Sequence, residues 1–228
     1  MFDPKKLLEQ FLGGAPADGK SQGLSSESLK GLAGGAAAGG LAAILLGSKG
    51  GRKMMTTAAK VGGTAVLGGL AYRAWQNWQN QKQGEASTPP KAMTDVTLPT
   101  ESQQFLANLA NGDTSLAILR AMITAAKADG HIDAREQQKI FGKLDTLNLD
   151  TEAKAFVMDE LRKPLDIDAV IASAASPELA IEIYAASSVM IDPDDPAEQA
   201  YLTMLASRLK FDAGLKANID REARQVTV

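Results

Sequence analysis

The sequence of 228 residues has no cysteine and a single histidine, His131. The first absence excludes disulfides, cysteine-ligated zinc and thiol catalysis. The second excludes a multi-histidine metal site and a relay of imidazoles. Missing too is any useful run of alternating apolar and polar residues, so no sheet is expected. Nor does the start resemble a cleavable signal peptide. Its first long apolar run begins near residue 31, with no short charged region leading straight into it.

What charge there is lies unevenly. Residues 1–90 carry 10 basic and 5 acidic side chains, whereas residues 91–228 carry 14 and 22, so a net charge of −3 divides into +5 and −8. The acidic part argues against nucleic acid as a partner, because phosphates need a positive footprint. The basic part suits anionic lipid headgroups.

Composition divides the chain into four stretches. Residues 1–30 open with Phe2, Leu7, Leu8, Phe11 and Leu12 at roughly helical spacing, a short amphipathic helix for a membrane surface or a partner, and continue as a Gly/Ser/Ala linker. Residues 31–78 are predicted to insert in a bilayer. Within them, residues 31–47 carry no charge, and 17 residues is at the short limit for a helical span. Gly31, Gly35, Gly39, Ala43 and Gly47 recur every four positions, which makes a smooth ridge where a second helix can approach closely. A basic stretch with Lys49, Arg52 and Lys53 follows, and then a weaker apolar run from Val61 to Ala71. Tyr72, Trp75 and Trp78 cluster after it with Arg73, as an interfacial aromatic belt would. Either one span or a hairpin is compatible with this pattern. With one span, the basic stretch holds the C-terminal part in the cytoplasm. Residues 79–100, with three prolines and no apolar periodicity, read as a tether.

From residue 101 to 224 apolar residues recur at three and four, in 116–126, 139–144, 156–161, 179–186 and 201–209. This predicts an all-α domain of about seven helices. Asp113, Thr151 and Ser176-Pro177 sit where N-caps belong. Inside the domain a helix–acidic turn–helix unit occurs twice, at 125–140 and 185–202. Each unit restarts on Asp-x-x-Glu-Gln: Asp133 with Glu136, and Asp195 with Glu198. Such a duplication predicts two related helix pairs with their turns close together. The Asp-x-x-Glu spacing matches a capping box, in which both side chains satisfy free backbone N–H groups. Capping does not account for Asp129, Asp192 and Asp194, whose crowding invites a cation. Neither turn has EF-hand spacing.

Ala128-Asp129-Gly130-His131-Ile132-Asp133, followed by Glu136, resembles the A-D-G-x-I-D-x-x-E signature of TerB-like domains, associated with bacterial tellurite resistance. The segment from Ile191 to Glu198, with Leu202, Leu205, Ala206 and Leu209 beyond it, resembles that fold's second acidic motif. It departs from the pattern by carrying prolines and lacking the Asp-Gly pair. The resemblance covers about residues 101–224, and with the glycine-rich start it extends to the DUF533 group of YebE-type inner-membrane proteins. It implies an all-α TerB-like bundle, an acidic metal site, a bacterial envelope or stress setting and no established reaction. TerB-like domains also occur in membrane-anchored co-chaperones with a J-domain, but this chain has no His-Pro-Asp tripeptide.

The expectation is therefore a non-enzymatic binding or sensing module at the bacterial inner membrane, self-associating through Gly31, Gly35, Gly39, Ala43 and Gly47. Its ligand is a divalent cation at Asp129, Asp133, Glu136, Asp192, Asp194, Asp195 and Glu198, or a partner protein. Calcium or magnesium suits an all-carboxylate set better than zinc or copper. The rivals are a metal-dependent hydrolase using the paired turns and a purely structural membrane oligomer.

Overall fold

The structure, a computed structural model, describes residues 3–12, 63–82, 111–129, 151–191 and 194–227. Among these it is all-α, with helices α1 (Pro4–Phe11), α2 (Gly63–Lys82), α3 (Gly112–Ala125), α4 (Thr151–Arg162), α5 (Ile167–Ala172), α6 (Pro177–Met190), α7 (Pro196–Arg208) and α8 (Ala213–Thr227).

Local chemistry sets the helix ends. Asp3 Oδ1 accepts from the backbone N–H of Lys5 at 3.1 Å and of Lys6 at 3.2 Å, and Pro4 takes the first helical position of α1. Ser176 Oγ accepts from Leu179 N at 3.1 Å, with Pro177 following, which is the expected start of α6. The cap of α3 is Asn111, not Asp113: Asn111 Oδ1 accepts from Asp113 N at 3.0 Å, and Asp113 lies in the first turn, where its charge meets the positive end of the helix. Helix α7 ends in a Schellman motif. Phe211 N donates to Ala206 O at 3.0 Å and Lys210 N to Ser207 O at 3.1 Å, and Lys210 takes the left-handed conformation (φ 60°) that usually selects glycine.

The core is organised around α6. Every residue from Leu179 to Met190 is buried, the state expected of a helix that is apolar on all sides. Helices α3, α8, α2 and α7 pack against it. Helix α1 lies on α3 and α2, while α4 and α5 pack on α3 and α5 also meets α7. The first helices of the two sequence units, α3 and α6, are thus direct neighbours. The continuation of the first unit lies outside the described residues.

Two expectations for the N-terminal third change. Helix α2 runs across the boundary placed between 78 and 79 and packs on α8 and α6, with Leu67, Leu70, Ala71 and Ala74 fully buried. Its aromatics make contacts within the bundle. Trp78 Nε1 donates to both carboxylate oxygens of Asp212 at 2.9 Å, Lys82 Nζ stands 4.0 Å from the centre of the Trp78 ring, and Tyr72 is buried beside Trp75. Asn77 Nδ2 donates to Glu222 Oε1 at 3.3 Å and Asn218 Nδ2 to Gln81 Oε1 at 3.2 Å, so a polar seam fixes the register of α2 on α8. Helix α1 likewise buries Leu7, Leu8, Phe11 and Leu12 in the bundle and does not present them as an open apolar face. Among the described residues no helix is long and apolar enough to cross a membrane. The ladder Gly31, Gly35, Gly39, Ala43 and Gly47 lies outside them.

Candidate functional site

The acidic turns follow the helices that form the heart of the bundle. Asp129 is exposed, four residues past the last residue of α3. Asp194 is exposed just ahead of α7, and Asp195 is the N-cap of that helix. Its Oδ1 accepts from Ala197 N at 2.8 Å and Glu198 N at 3.1 Å, with Pro196 in the first turn. Capping therefore accounts for Asp195, as the Asp-x-x-Glu spacing allows. Glu198 lies in the first turn of α7. Asp133, Glu136 and Asp192 lie outside the described residues, as does His131. Among the described residues no three His, Cys, Asp or Glu side chains gather to hold a metal ion. The described carboxylates do not make a cation site by themselves, and Asp195 already has backbone partners.

Behind the second turn, a small cavity of about 40 Å³ is lined by Ser188, Ile191, Gln199, Leu202, Asp220, Ala223 and Arg224. Ser188 and Tyr184 come from α6, and Tyr184 Oη donates to Asp220 Oδ1 at 2.9 Å. Burial, then the Asp220 carboxylate that accepts from it, raises the Tyr184 hydroxyl far above its ordinary range, so it remains a donor. Lys216 Nζ holds the other Asp220 oxygen at 2.7 Å. This cluster locks α6 to α8.

Sequence reasoning missed Glu182. It sits in the middle of α6, fully buried, and neither carboxylate oxygen has a hydrogen-bond partner among the described residues. Burial, then the neighbouring charge of Glu178, pushes it up to about 8. The available signal was one acidic residue inside the otherwise apolar run from Leu179 to Ala186.

The fold and the turns together define, over the described residues, a helical bundle built around a buried central helix and flanked by acidic helix starts. The chain belongs to the DUF533 family, described as "Protein of unknown function (DUF533)", whose pattern matches residues 31–223. It is also similar to an "Uncharacterized protein in ampR 5'region" from Yersinia enterocolitica, with 27% identity over 108 residues that span 47% of this chain and 78% of the relative. No solved structure gives a significant match.

Proposed function

We propose that this chain is a non-catalytic, TerB-like binding module of the bacterial envelope, attached to the inner membrane through its glycine-rich segment and responsive to a divalent cation at its acidic turns. The observation that carries the reading is the placement of Asp129 and Asp194. Both are exposed beside helices that pack on α6. A set completed by Asp133, Glu136 and Asp192 suits calcium or magnesium, which take oxygen ligands. The uncharged run 31–47 and its small-residue ladder support insertion and self-association.

The test is a thermal melt of the full chain in chelator, calcium, magnesium and zinc. A cation that binds only the folded state raises the melting temperature by mass action. Asp129→Asn is expected to abolish that increment and leave the melt in chelator nearly unchanged. Asp195→Ala is expected to lower stability by about 1 kcal/mol in every condition, because it removes a cap. A melting temperature that is the same in all four conditions, with no heat on titration, would exclude the cation.

A further inference from the structure

Away from the acidic turns, a cleft of about 490 Å³ opens between α3, the end of α4 and α5. Its chemistry is the opposite of the domain's net charge. Three cations line it, Arg120, Lys127 and Lys163, against two carboxylates, Glu160 and Asp166, so the lining carries one net positive charge. Both carboxylates have partners. Glu160, nearly buried, accepts from Arg120 Nε at 3.2 Å and from Lys163 Nζ at 2.6 Å. Asp166 caps α5 through Ala169 N at 2.9 Å. The Lys127 ammonium turns inward and donates to the carbonyls of Glu160 and Lys163, at 2.7 Å and 2.9 Å, closing the end of α4.

Two donor groups remain. Arg120 uses Nε on Glu160 and lays its guanidinium 5.6 Å from the centre of the Phe156 ring, and its terminal nitrogens have no partner among the described residues. Thr124 lines the same cleft one helical turn later, with only 7% of its surface exposed. Three helical hydroxyls elsewhere bond back to their own helix: Ser187 to Ile183 O, Ser188 to Tyr184 O and Thr203 to Gln199 O, each at 2.9 Å. The Thr124 hydroxyl makes no such bond and has no partner among the described residues. A mostly buried threonine lining a cavity, its hydroxyl without a partner among the described residues and beside an unfilled guanidinium fork, marks a place for an acceptor. The wall beyond it is apolar, with Pro164, Ala169, Val170 and Leu165, the last 40% exposed.

We propose that this cleft binds a monocarboxylate carrying an aliphatic stem. The carboxylate accepts from the Arg120 fork and the Thr124 hydroxyl, and the stem lies along Leu165 and Pro164. One negative charge neutralises the lining, whereas a phosphate monoester would leave it negative. The cavity volume is in the range of small-molecule sites. This site shares no residue with the acidic turns, so its test and the cation test fail independently.

The experiment is calorimetric titration of the full chain in chelator with octanoate, octanol and octyl phosphate. Octanoate is expected to bind saturably, one molecule per chain, with octyl phosphate weaker and octanol weaker still. Thr124→Val keeps shape and burial but removes the hydroxyl, and Leu165→Asp places a negative charge at the open mouth. Each is expected to weaken octanoate by about tenfold or more while the chain keeps its helical content and cooperative melt. Absence of saturable octanoate binding would overturn the proposal. So would octanol or octyl phosphate binding as tightly as octanoate, or unchanged octanoate affinity in both variants.

Discussion

Glu182 shows most sharply how one residue can set the behaviour of the bundle. A glutamate in the unfolded chain ionises near 4.5, and in the fold burial, followed by Glu178, raises it to about 8. The folded state therefore holds a proton that the unfolded state releases. Stability is fully present below about 4.5, falls as pH rises towards 8 and then levels off, with a slope of about 1.4 kcal/mol per pH unit from this group. Glu182→Gln is expected to flatten that decline and to leave the protein more stable than wild type above pH 8. Denaturant melts of both proteins between pH 5 and pH 9 measure it. Parallel profiles for the two would show that Glu182 is ionised and accommodated in the fold.

At the level of elements, the N-terminal helices are structural members of the bundle. Leu70 is fully buried on the side of α2 that meets the core, and Phe11 is fully buried where α1 joins it. Leu70→Ala is expected to cost about 2–5 kcal/mol and Phe11→Ala about 3–5 kcal/mol, read from denaturant midpoints of the full chain. A fragment of residues 91–228 is expected to melt lower than either variant, because it exposes the faces of α3, α6 and α8 that α1 and α2 cover. An unchanged melt in that fragment would mean that these two helices are dispensable. Much of the C-terminal part was legible, because three-and-four spacing, Ser176-Pro177 and Asp195-Pro196 are local signals. The role of α2 was not. Its run from Val61 to Ala71 is equally apolar to a bilayer and to a protein core, and only long-range partners such as Asp212 and Glu222 distinguish the two. The cap of the second acidic turn, Asp195, was readable from Asp-x-x-Glu, and the first turn's Asp133 and Glu136 lie outside the described residues. The cleft was not readable, because Arg120, Thr124 and Lys163 converge only through packing of α3 against α4 and α5.

For the molecule as a whole, the positions of α1 and α2 constrain how it can meet a membrane. Both pack in one bundle, so the two described ends on either side of residues 13–62 belong to the same body. A single crossing by residues 31–47 would separate α1 from α3 by the thickness of a bilayer. Under the proposed attachment through residues 31–47, entry and exit on one side of the bilayer would keep α1, α2 and the acidic turns in the same compartment. The sequence holds no native cysteine, so each engineered cysteine reports alone. The most direct measurement places one at Lys5 and, in a separate variant, one at Ala200, both exposed, and labels sealed membrane vesicles of either orientation with an impermeant maleimide. Docking of α1 and α2 in the bundle predicts that both positions label in the same vesicle orientation and are both protected in the other. Labelling of Lys5→Cys and Ala200→Cys from opposite faces of the membrane would contradict it.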